Sequence, residues 1–149
     1  AYEILTCDWS SVVCSSDLKM NYCYVKVSNR PGVCASMLGQ IKNAGISLLA
    51  FSGFPAGGGK AQLDLVADRL GGIRKLAKQH GWKLSRPKKG FLIRGSDEVG
   101  AIEKHFRKLA RAGVNVTAAD AVAAGKGRYG MILWVKPKHY QRAARALGA

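Results

Sequence analysis

From Tyr22 onward the chain switches between two hydrophobic periods. Tyr22 to Val27 is a short run of aromatic and β-branched residues, which predicts a strand. Asn29-Arg30-Pro31-Gly32 interrupts it as a turn that opens a helix. Asn can cap that helix, and Pro fits the first helical turn because its missing N–H had no partner there. Val33, Met37, Leu38 and Ile41 recur at helical spacing, and Gly45 ends the helix by accepting a left-handed conformation. Ile46 to Phe54 reads as a second strand, Gly57-Gly58-Gly59 as a hairpin turn, and Lys60 to Ala67 as a third strand. Ile73, Leu76 and Ala77 mark a second helix closed by Gly81. Trp82 to Ser85 reads as a short fourth strand ahead of a linker, Arg86-Pro87-Lys88-Lys89.

The pattern then repeats. Residues 22–68 align with residues 90–136 without a gap, at an offset of 68. Asn29 falls on Asp97, Gly32 on Gly100 and Ile41 on Leu109; Ala44-Gly45-Ile46 falls on Ala112-Gly113-Val114. Gly57 and Gly59 fall on Gly125 and Gly127, and Leu63 and Leu65 on Met131 and Leu133. So many matches at one offset mean duplication. The second copy is expected to run Phe91 to Gly95, Val99 to Ala112, Val114 to Ala123, Tyr129 to Val135 and His139 to Leu147. Its fourth strand has no residues left, so this copy is expected to be truncated or to borrow an edge. Modules of residues 19–89 and 90–149 follow.

Residues 1–18 stand apart. Asp8 to Leu18 has no helical or strand period, and it resembles the translated sequencing adaptor DWSSDVCSSDL with Val12 as the departure. The segment is read as an artefact or a disordered tail and is set aside.

Composition narrows the partners. The chain has 149 residues, an apolar fraction of 48%, a net charge of +15 and a pI near 10.1. Such a balance attracts anions, whether phosphates, nucleic acid or acidic metabolites. The basic residues are spread out, the tightest group being Lys83, Arg86, Lys88 and Lys89. No apolar run approaches the roughly 20 residues of a membrane helix, and no secretory leader is evident. A cytoplasmic protein without membrane contact is expected. Cys7, Cys14, Cys23 and Cys34 form no C-x-x-C pair and are read as reduced thiols, so no metal or cofactor is expected.

Strand, Asn-x-Pro-Gly turn, helix, Ala-Gly-Ile and strand-hairpin-strand together resemble the ACT domain, twice in tandem, over nearly all of residues 20–149. The second copy, with Asp97-Glu98-Val99-Gly100, lacks the proline. The resemblance implies an α+β fold of two ferredoxin-like βαββαβ modules, with antiparallel sheets, helices on one face, and the last strand of the second module missing. It also implies amino-acid binding, a regulatory or sensing role and pairing of modules.

The residues fit that implication physically. A helix N-terminus presents unpaired N–H groups and the positive end of a dipole, which suit a carboxylate. Gly32 lets a ligand approach the backbone, and Asn29 or Asp97 can accept from an ammonium. The candidate ligand-binding residues are therefore Asn29, Pro31, Gly32 and Val33 in one site and Asp97, Val99 and Gly100 in the other. Leu49 or Ala118 would close the pocket from the second strands, at the module interface.

Several strands are apolar on both faces, as at Met131 to Val135, which predicts a homodimer or higher homo-oligomer. Nucleic acid is the second choice of partner. RNA-recognition modules share the element order, and Lys126-Gly127-Arg128-Tyr129-Gly130 is similar to their basic-Gly-aromatic pattern, with Arg128 extra and Met131 where an aromatic belongs. Catalysis is poorly supported by the sequence. His80, His105 and His139 lie far apart, and the nine carboxylates form no recurring pair.

Overall fold

The computed structural model describes residues 19–149; the adaptor-like stretch, Cys7 and Cys14 lie outside the described residues. The chain divides into two compact units, one of Met20–Gly90 and one containing Phe91–Ala149.

In the first unit the order is β1 (Lys19–Ser28), α1 (Val33–Asn43), β2 (Leu48–Gly57), β3 (Lys60–Ala67) and α2 (Leu70–His80). β3 lies between β1 and β2 and runs antiparallel to both. Residues alternate across it. Leu63 and Leu65 turn toward the helices and pack with Val25, Met37, Ile41 and Ile73, all buried. Fully burying a side chain of this size contributes roughly 1.5–3 kcal/mol. On the opposite face Asp64 is 5% exposed and accepts a hydrogen bond from Gln62 Nε2 at 2.9 Å. Burial pushes its carboxyl up, and burial followed by the nearby Asp64 charge pushes the Tyr22 phenol up to about 12.

The fourth strand expected at Trp82 to Ser85 shrinks to one bridge, Leu84 against Val25. Ser85 N–H donates to the Tyr24 carbonyl, and Ser85 Oγ accepts from the Tyr24 amide at 2.9 Å. A side chain thus replaces a strand carbonyl, and Pro87 has no N–H to extend the ladder. The linker reading of Lys88 and Lys89 needs correcting. Both begin β4 (Lys88–Ser96), and Lys88 Nζ sits 4.8 Å from the centre of the Tyr24 ring.

β4 starts the second copy. It continues with α3 (Glu103–Arg111), β5 (Val116–Gly125), β6 (Arg128–Val135) and α4 (Tyr140–Leu147), the last entered through a short 3-10 turn at Pro137–His139. β6 lies between β4 and β5, antiparallel to both. Its helix-facing core holds Phe91, Ile93, Leu109, Met131, Leu133 and Ala143. α3 begins later than the expected Val99. A turn closed by the Ala101 amide on the Glu98 carbonyl comes first. Glu103 then anchors the first helical turn, where a negative charge is favoured, and receives Arg107 Nε at 2.8 Å.

The duplication extends to individual hydrogen bonds. Val25 pairs with Leu63 as Ile93 pairs with Met131, and Ser28 with Lys60 as Ser96 with Arg128. The edge strands carry bulges at equivalent places, between Leu48 and Ala50 and between Val116 and Ala118. Both hairpin turns are left-handed. Gly57, Gly58 and Gly59 have positive φ, as do Gly125, Lys126 and Gly127, with Lys126 at φ 53 the non-glycine member. No helix among the described residues is long and apolar enough to cross a membrane.

Candidate functional site

The first corner is set by main-chain geometry. Asn29 N–H donates to the Gly59 carbonyl at 2.9 Å, tying the end of β1 to the β2–β3 hairpin. Gly32, at φ 86, is the N-cap of α1, and the Ser36 amide returns to its carbonyl at 2.9 Å. A Cβ on Gly32 would meet nothing within 4 Å, so backbone conformation rather than space calls for glycine.

The capping expectation is therefore corrected. Asn29 lies three residues before the N-cap and no side chain caps α1, while Pro31 precedes the cap instead of entering the first helical turn. The left-handed residue turns the chain too late for Asn29 to reach the helix. The amides of the first turn keep no intrahelical partner.

That uncapped end opens on a cleft of about 810 Å³ whose lining residues all belong to the first unit. Pro31, Gly32 and Val33 form its corner; Lys26, Arg30 and Lys60 supply three cations; Ser28, Ser36 and Gln40 supply neutral polar groups. Val27, Met37 and Trp82 give it apolar surface, and no carboxylate lines it. Lys26, Arg30 and Lys60 are exposed and form no ion pair among the described residues. Of the first-copy candidates, Pro31, Gly32 and Val33 come together here, and Asn29 does not line the cleft. Sequence reading missed the three cations and Trp82, which converge only once β1, β3 and the end of α2 are placed.

The second corner has the same backbone and different contents. Asp97 N–H donates to the Gly127 carbonyl at 2.8 Å, and Gly100 has φ 80. But Glu98 stands at the position of Arg30, and its Oε1 lies 3.7 Å from Lys104 Nζ, at the position of Ser36. His105 replaces Met37 and Tyr129 replaces Ala61. His105 Nε2 and the Tyr129 hydroxyl are 2.7 Å apart. The Tyr129 ring lies against Gly95, where an added Cβ would come within 2.7 Å of its Cε1. Burial, then Lys104 and Lys108, pushes the His105 imidazole down, and burial, then the Glu98 charge, pushes the Tyr129 phenol up.

The remaining candidates lie apart from the cleft. Val99 is fully exposed on its turn, and Leu49 and Ala118 sit at the edge-strand bulges outside the cleft lining. Tyr129, the aromatic expected to stack on RNA, is 4% exposed and engaged with His105, so its face is not offered to a base. Cys23 is buried and Cys34 half-buried, both as free thiols. Among the described residues no group of three or more His, Cys, Asp or Glu side chains gathers in one place.

No family model and no curated protein matches the chain. Solved structures do. Protein BT0572 from Bacteroides thetaiotaomicron is 13% identical, with 89% of each chain covered and a TM-score of 0.77. The regulatory subunit of aspartate kinase from Thermus thermophilus, in ligand-free form, is 15% identical over 89% of this chain and 91% of its own, with a TM-score of 0.56. The corresponding subunit from Thermus flavus is 17% identical over 88% and 91%, with a TM-score of 0.54. The likeness is one of fold. That fold is α+β and ferredoxin-like, the class the ACT resemblance implies.

Proposed function

We propose that this is a tandem ACT-type regulatory protein, with modules at residues 19–89 and 90–149, that binds a small carboxylate ligand such as an amino acid and performs no chemistry on it. The observation that carries this reading is the open cleft at the uncapped N-terminus of α1. A carboxylate there would meet the first-turn amides of α1, the positive end of the helix and the Arg30 side chain of the adjoining turn. Ser28, Ser36 and Gln40 offer oxygen acceptors for an ammonium in place of Asn29. Hydrogen bonds to charged groups contribute about 1.5–3 kcal/mol each, so two or three support micromolar binding after the costs of association. The regulatory part of the reading draws on the fold shared with the aspartate kinase regulatory subunits. A second copy of the chain is the proposed protein partner. β2 is a ten-residue edge strand without a charge, and Leu49, Phe51 and Phe54 are exposed along it.

Thermal-shift screening of the whole chain against the common amino acids tests the reading. A ligand at 100 times its dissociation constant adds about 2.7 kcal/mol, a rise of several degrees in melting temperature. A screen in which none of the amino acids moves the transition would remove the proposal.

A further inference from the structure

We infer that the second copy binds the phosphate backbone of a nucleic acid, without reading its sequence, through cations gathered where α3 stops and α4 begins. They are Lys108, Arg111, Lys136, Lys138 and Arg142, and none of them lines the first-copy cleft.

Chain order brings these residues together. α3 ends at Arg111 and leads into β5, whose first residue, Val116, pairs with Val135, the last of β6. The chain leaves β6 for α4 at that same end, through Lys136 and Lys138. Arg142 of α4 reaches back, and a Cβ on Gly113 would lie 3.9 Å from its Nη1. Partial burial, then the charges of Lys138, Arg142 and Lys136, hold the His139 imidazole below its ordinary value. All five cations are exposed and form no ion pair among the described residues. The acids of the second copy lie elsewhere. Glu98 and Glu103 engage Lys104 and Arg107 at the start of α3, Asp97 is in the turn before it, and Asp120 is in mid-β5.

The first copy lacks this group. Gln40, Asn43 and Asp68 align with Lys108, Arg111 and Lys136. Arg69 brings a guanidinium there, but it donates to the Gly45 carbonyl at 2.6 Å and lies 4.0 Å from the Asp68 carboxylate. The fold thus does not require unpaired cations at this end. The helix dipole favours Lys108 and Arg111 in the last turn of α3, yet disfavours Lys136 and Lys138 ahead of α4, whose first turn holds no acid. Like charges held this close repel one another, and solvated surfaces ordinarily mix the two signs. A row of phosphates relieves that repulsion. The exposed large apolar side chains of this copy are placed elsewhere, Val99 and Ile102 at the start of α3, Phe106 in its first half and Val122 near the hairpin. The cation end therefore offers charge without the apolar anchors that a protein partner or a membrane uses.

Fluorescence anisotropy of the full chain with a labelled duplex of about 20 base pairs and arbitrary sequence tests the inference. About five neutralised phosphates predict a weakening of roughly 500-fold between about 50 and 200 mM salt. Arg111→Gln and Lys136→Gln should each lower the slope of log affinity against log salt by about 1. Changing Lys108, Arg111, Lys136 and Lys138 to Gln together should weaken binding more than about a hundredfold at about 50 mM salt. Changing Lys42, Arg74, Lys75 and Lys78 of the first copy removes the same charge and should weaken it less than about tenfold. Lys136→Arg with Lys138→Arg should retain it. Should the second-copy variant melt early, the slopes of the two single substitutions carry the same test. A duplex not held at about 50 mM salt, or equal losses from the two four-residue variants, would overturn the inference. So would polyglutamate or phosphatidylserine vesicles bound as tightly as the duplex.

Discussion

At the first corner Val27 and Met37 line an open cleft, with Ala61 paired opposite Val27; at the second, Gly95, His105 and Tyr129 stand at the same backbone positions, and the Tyr129 ring is buried against Gly95 and bonded to His105. The exchange is a compensated one. Val27 pairs with Ala61 and Gly95 with Tyr129 in the same register, so bulk lost from one strand is regained on its neighbour. The polar groups follow suit, with Arg30 forming no ion pair among the described residues on one side and a Glu98–Lys104 pair on the other. One scaffold can thus keep a site in one copy and use the equivalent volume for packing in the other. Duplication of sequence does not by itself imply duplication of the side chains at each corner.

The largest effect that would break this comparison is expected from Tyr129→Ala. It removes a buried ring, strips His105 Nε2 of its partner and should cost about 3 kcal/mol in urea unfolding. A loss below about 1 kcal/mol would mean that the ring does not fill the corner. Next comes Gly95→Ala, whose new Cβ drives into Tyr129 and should cost about 2 kcal/mol. The same change in a Tyr129→Ala background should cost much less, a coupling that a double-mutant cycle reads directly.

Gly32→Ala and Gly100→Ala bear on what the corners share. Both residues have positive φ and open space around the missing Cβ, so each substitution should cost about 1 kcal/mol, and the two losses should match. Unequal losses would show that the corners differ in backbone as well as in contents.

The smallest effect concerns pH. The His105 imidazole is held below its ordinary value of 6.5 in the folded chain, so between the two values the unfolded chain binds more protons. Its contribution is complete above the unfolded value and declines as pH falls through 6.5 toward the folded value. His105→Gln should flatten that part of a stability-versus-pH curve. An unchanged curve would show that the imidazole is not desolvated.

The duplication, the strand-hairpin-strand order and the helix ends at Gly45 and Gly81 were legible because each is written in local residue types. Gly57-Gly58-Gly59 forms a hairpin whatever surrounds it. The start of α1 was less legible. Asn29 is a good cap residue and Pro31 a good first-turn residue, and the choice between that start and a left-handed Gly32 depends on the Asn29 amide being drawn to Gly59, a contact distant in sequence. The fourth strand failed for a similar reason, since Ser85 satisfies Tyr24 with a side chain. The closing of the second corner left a trace in the alignment, where Val27 with Ala61 becomes Gly95 with Tyr129. Reading that trace needed the strand register, which puts the two changes opposite each other.

The matching bulges and left-handed turns carry a consequence for how such a chain can change. Because β2–β3 and β5–β6 share every pairing offset, each hairpin is a spare part for the other. A recombination event that swaps them would move Ala61 or Tyr129 with its hairpin but leave Val27 or Gly95 behind on β1 or β4, so the facing strand must change as well. Exchanging the contents of the two corners then needs no new topology, only the facing strand position changed in step.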